Sequence, residues 1–116
     1  MTVLQTITVL ASAARTATGT ADIGDAVASF DTVDVFIDVT AVSGTSPTMT
    51  VTYQSSVDGG TTWFDGVAST AITATGRQVL SITSKVGSRA RLSYVIGGTT
   101  PSFTFSAIAQ MRRSGN

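Results

Sequence analysis

The chain has 116 residues with seven basic and seven acidic side chains. It is therefore one domain, long enough to bury about two thirds of its unfolded surface, with no charge field to recruit nucleic acid or an anionic membrane. Every acidic residue is Asp, and Glu, His and Cys are absent, which excludes a disulfide framework, a thiolate nucleophile and a zinc cluster. Charged residues make up only 12% of the chain. Thr, Ser, Gly, Ala and Val dominate instead, a composition for β structure inside an assembly rather than for a concentrated free monomer.

Thr2 to Ala13 reads as a strand or extended arm, residues 1–14 being set apart from a sandwich over 15–111 and a polar tail over 112–116. Val3, Ile7 and Val9 share one parity, and Leu4 and Leu10 take the other. One sheet buries one face of a strand, so these five residues are the expected partner interface. No basic residue precedes the apolar run, and Gln5, Thr6 and Thr8 interrupt it, so a secretory signal is not expected. No segment approaches the ~20 apolar residues that span a bilayer. Ala14 to Ser29 is a small-residue loop around Asp22-Ile23-Gly24-Asp25. It lacks the alternating oxygen ligands of a calcium loop and is read as turn chemistry, with no metal site.

Val33, Val35, Ile37, Val39 and Ala41 alternate with Asp34, Asp38 and Thr40, the pattern of a half-buried strand whose polar side only Phe36 and Val42 interrupt. Ser43 to Thr48 is expected as a wide turn, after which Met49, Val51 and Tyr53 resume the alternation. Ser56 to Trp63 is a second, tighter turn. Further strands are expected around Val79–Ile82, Ala90–Ile96 and Phe103–Ala109. Seven or eight short strands without a helical period predict an antiparallel β-sandwich, jelly-roll or Ig-like. Residues 44–51 also match residues 98–105 position by position in residue type. That echo predicts two equivalent hairpins at one end of the sandwich, related by approximate symmetry.

Catalytic groups are scarce. His and Glu are missing, and Lys85 is the sole lysine; Ile82 stands where a Ser-x-x-Lys pair would need its serine. Asp58 and Asp65 lie among turn formers, where caps and Asx-turns are their ordinary use. No catalytic residue, cofactor or cofactor-binding residue is assigned, and the chain is not expected to be an enzyme. Ser56, Asp58, Gly60, Thr62 and Trp63 fit the pattern S-x-D-x-G-x-T-W. This resembles the Asp-box hairpin of sialidases, where the residues hold a turn together and do no chemistry. The same structural role is expected of Asp58, Gly60, Thr62 and Trp63. Tyr53, Trp63, Phe64 and Tyr94 are the aromatics from which a glycan-binding face would be built. Core packing is the commoner fate of such residues. Arg89, Arg91, Arg112 and Arg113 do not make a basic cluster fit for nucleic acid.

Three phrases, at residues 35–45, 57–63 and 94–105, carry a wider resemblance. From about Phe30 to Ile108 the chain is similar to small β-sandwich virion proteins of tailed bacteriophages, including head decoration (cement) proteins. The resemblance implies a virion protein on the outer capsid surface, assembled in the host cytoplasm. Its implied partners are the major capsid protein and further copies of itself, as a homotrimer. A tail or head–tail junction component is the second reading, and a carbohydrate- or receptor-binding module is the rival outside the virion.

Overall fold

The computed structural model describes residues 2–83 and 86–114. Six strands follow one another: β1 Thr2–Arg15, β2 Gly19–Gly24, β3 Thr32–Ser56, β4 Phe64–Ala68, β5 Gly76–Ile82 and β6 Arg89–Ser114. A 3-10 turn at Asp25–Ser29 precedes β3. All pairings are antiparallel. Lys85 lies outside the described residues.

Two strands organise the rest. β3 and β6 pair with each other from Thr32↔Arg112 to Ser56↔Arg89. The first half of β3 also pairs with β5, while the second half of β6 pairs with β1. Beyond the midpoint, β3 pairs with β4 and β6 with β2. The long ribbon therefore supplies the two central strands of two sheets. One has the order β5-β3-β6-β1, and the other β4-β3-β6-β2. Eight sheet segments in this order make a jelly roll, so the expected seven or eight short strands are present as segments of the six continuous strands among the described residues.

The period-two pattern explains which faces meet. Val33, Val35, Ile37 and Val39 in the first sheet, and Met49, Val51, Tyr53 and Leu92 in the second, are at most 3% exposed. They belong to one apolar cluster with Phe103, Phe105, Ala107, Ala109 and Met111. Tyr94 of the second sheet meets Phe105 of the first edge-on, with ring centroids 5.6 Å apart. At the margin, the Arg15 guanidinium covers the Phe105 ring and donates to the Phe105 and Ala11 carbonyls, each at 2.9 Å.

The two Gly-Thr-x-Pro segments do not form hairpins. A hairpin would reverse the chain, whereas both strands continue through, and the ribbon bends as a unit from one sheet to the other. Ser43 pairs with Ser102, Thr45 with Thr99 and Thr48 with Gly97, with register shifts between them. Ser46 and Thr100 adopt positive φ, 49° and 47°, as do Gly44 and Gly98 at 110° and 113°. The two bends lie opposite each other, so each absorbs the extra residue of its partner and the ladder resumes on both sides. The expected symmetry is present, as one corner shared by two strands.

Candidate functional site

The tight turn after β3 is built by two side chains. Ser56 Oγ, fully buried, donates to Asp58 Oδ1 at 2.8 Å and accepts the Gly60 N–H at 2.9 Å. Asp58 Oδ1 also accepts the N–H groups of Thr62 at 2.9 Å and Thr61 at 3.1 Å. The Thr62 backbone N–H, then the hydroxyls of Ser56 and Thr62, stabilise the ionised form and bring the Asp58 carboxyl down to about 2. These bonds hold the loop backbone in place and leave Asp58 Oδ1 engaged by turn groups. The Ser56 carbonyl in turn accepts from the Ser88 hydroxyl at 2.9 Å, which fastens the turn to the loop before β6.

Trp63 closes this turn from the outer side and does not enter the core, where the aromatic pattern had put it. It is half-buried, and the Arg91 guanidinium lies over its ring at 4.3 Å. Arg91 Nε donates to Gln54 at 2.7 Å, and Gln54 donates to Asp65 at 2.7 Å. Beside them Arg89 pairs with Asp22 at 2.6 Å. Trp63, Arg89 and Arg91 line an open polar hollow of about 350 Å³.

The four aromatics from which a glycan-binding face would be built do not share one face. Tyr53 is buried and donates to the Val86 carbonyl at 2.8 Å; burial pushes its phenol upward. Tyr94 packs on Phe105. Phe64, 56% exposed, joins Val57 and Val67 at an apolar groove of about 710 Å³ beside the edge strand β4. Sequence reasoning had not marked this groove, because its walls come from β3, β4 and β5.

Among the five residues assigned to a partner interface, Leu10 is buried, Ile7 and Val9 pack half-buried against the core, and Leu4 is 53% exposed. The side chain of Val3 lies outside the described part. A register shift between Thr8 and Leu10 accounts for the mixed parity. Ile7 is opposite Ala109 and Leu10 opposite Ala107, both inward residues, with Val9 as the extra residue of a bulge. β1 is thus an edge strand of the first sheet, and Leu4 is its exposed apolar side chain. Of the polar tail, residues 112–114 continue β6.

No protein-family model matches the sequence, and no curated protein matches it either. Solved structures share its fold. The chain is similar to a subunit of Bacillus endospore appendages, a family of disulfide-linked pili, with a TM-score of 0.59 and 15% identity. That match covers 99% of this chain and 89% of the other. A chain of infectious bursal disease virus, Gx strain, gives a TM-score of 0.56 at 15% identity over 100% of this chain and 34% of its own length. A chain of the T13 particle of the same virus gives 0.56 at 14% identity, over 98% and 31%. This chain therefore spans about a third of those viral proteins. At such identities the likeness is one of fold. The pilus chemistry does not transfer, since this sequence has no cysteine.

Proposed function

We propose that this chain is a non-enzymatic structural subunit of a bacteriophage particle that binds the major capsid protein and cements the head shell. The observation that carries the reading is the complete jelly roll, whose whole length has a counterpart in chains of an icosahedral virus particle. The polar chemistry supports it, because the Ser56 and Asp58 side chains are engaged in the Ser56–Trp63 turn and Arg91 is held by Gln54 and Trp63. Action is passive: a rigid sandwich lies across neighbouring shell subunits and adds buried interface that opposes their separation. Each contact is modest, and many copies act together. Leu4 and the outer edge of β1 are the contact assigned to the shell.

The test is co-sedimentation of the purified protein with undecorated shells, followed by heating of the complexes. Saturable binding at a fixed ratio, with shells that withstand higher temperature, is the expected result. Absence of binding to shells together with specific retention on a glycan array would replace this reading with the carbohydrate-binding one.

A further inference from the structure

Four polar side chains stand in register across the outer face of the second sheet. Asp65 on β4 is the cross-strand partner of Gln54 on β3, Gln54 that of Arg91 on β6, and Arg91 that of Asp22 on β2. Hydrogen bonds do not follow the row to its end. Gln54 donates to Asp65, and Arg91 Nε donates to Gln54, each at 2.7 Å. Asp22 Oδ2 is instead taken by Arg89, two residues back along β6, at 2.6 Å. The Arg91 guanidinium is thus fixed by Gln54 and by the Trp63 ring, 4.3 Å away. Its two Nη groups have no hydrogen-bond partner among the described residues, and neither have Asp22 Oδ1 and the Thr20 hydroxyl. Thr20, Asp22, Trp63, Arg89 and Arg91 all line the hollow of about 350 Å³. A Cβ on Gly60, in the same lining, would stand 3.4 Å from Arg89 Cδ and 3.5 Å from the Trp63 ring, so bare backbone lets both lie against the turn.

We infer that this hollow binds a neutral sugar ring. The mixture of free groups selects it. Arg89 and Arg91 offer donors only, Asp22 Oδ1 accepts only, and the Thr20 hydroxyl does both. A phosphate or carboxylate ligand accepts only and would be set beside the Asp22 carboxylate. An ammonium ligand donates only and would meet two guanidinium groups. Adjacent sugar hydroxyls both give and take. Arg91 and Asp22 are cross-strand neighbours, so one vicinal pair of hydroxyls satisfies both, each through a charge-assisted bond. Trp63 is the one large apolar side chain in the lining, which suits a ring whose apolar surface is confined to its C–H face. The volume lies at the lower end of the roughly 300–1,000 Å³ of small-ligand sites. Arg91 is held before any ligand arrives, so little ordering opposes binding. The hollow belongs to the second sheet, whereas the edge assigned to the shell belongs to the first. The proposal therefore stands whether or not the chain binds shells.

Trp63 is the single tryptophan, so its emission reports on this hollow. Glucose, galactose, mannose and N-acetylglucosamine are titrated separately to about 100 mM, a range that saturates a shallow one-ring site of millimolar affinity. A saturable change in emission with at least one of them is expected. Arg91→Ala and Asp22→Ala should each weaken binding about tenfold or more, the scale of a hydrogen bond to a charged group. Titration calorimetry measures the variants, because Arg91→Ala shifts the emission by itself. Val79→Ala, at a 52% exposed position on the outer face of the first sheet, leaves the affinity unchanged. Should Arg91→Ala not fold, Asp22→Ala, at an exposed position, decides alone. Glucuronate and inorganic phosphate are the anionic probes. Emission indifferent to all four sugars, binding that survives these substitutions, or binding confined to glucuronate and phosphate overturns the proposal.

Discussion

Gly44 and Gly98 each lie against the backbone that carries the other. A Cβ on Gly44 would stand 2.7 Å from the Thr100 carbonyl oxygen, and one on Gly98 2.7 Å from that of Ser46. Each is followed by Thr, and those two threonines, Thr45 and Thr99, pair at the centre of the bend. The corner of the sandwich is thus one object built twice.

Gly44→Ala and Gly98→Ala are each expected to cost about 2 kcal/mol or more, from positive φ together with a collision against backbone that cannot swing away. The double variant should cost less than the sum, because one distorted bend already relieves the other. Gly59→Ala has positive φ of 79° but open space around it, and about 1 kcal/mol is expected. Urea unfolding of the four variants gives the comparison.

Asp58 sets a pH dependence. Its carboxyl ionises at about 2 in the folded chain against an ordinary value of 3.8. The unfolded state therefore takes up its proton first as pH falls. The share of stability that depends on the ionised Asp58 is complete above about pH 4, declines through the interval down to about 2, and is gone below it. Asp58→Ala should melt below the wild type at pH 7 and alongside it near the bottom of that interval. A melting-temperature gap that stays constant across this range would sink the account.

Trp63 reports on its Arg91 cover. Arg91→Ala should shift Trp63 emission to the red and cost about 1 kcal/mol, the scale of a partly desolvated cation–π contact. Trp63→Ala should cost less than the 3–5 kcal/mol typical of a buried tryptophan. Fluorescence and chemical denaturation measure both.

Leu10 and Leu4 divide the work of β1. Leu10→Ala is expected to destabilise the fold by about 2–4 kcal/mol, since Leu10 enters the core opposite Ala107. Leu4→Ser should leave the melting temperature nearly unchanged and weaken attachment to shells. Unaltered co-sedimentation of Leu4→Ser would remove this edge from the proposed contact.

Much of this architecture is local, and to that extent it was legible in the chain. The inward residues Val33 to Val39, Leu92, Phe103 and Phe105 follow from period-two alternation, because successive side chains on a strand point to opposite faces. The turn at Ser56–Trp63 follows from spacing, because its bonds join residues at most four apart. The partners of these pieces were not legible. Pairing Phe36 with Val79 and Ile108 joins residues on three strands, and the bulge at Val9 appears only once β1 is laid against β6. Residue type alone favours the core for Trp63; it lies half-buried outside the core, with the guanidinium of Arg91, far along the chain, over its ring.

The amino-acid sequence by itself determined the class of structure: all-β, antiparallel, with known inward faces, a hydrogen-bonded turn at Asp58 and a repeated Gly-Thr-x-Pro segment. The tertiary structure decided that the two repeats meet, so that apparent hairpins became one bend in a continuous ribbon. It also turned Phe36, one of the two breaks in a polar pattern, into the middle of a row of three. The physical reason is range. Alternation and turn chemistry act between neighbours along the chain, whereas register is a choice among many long-range pairings that only the packing of the whole core makes.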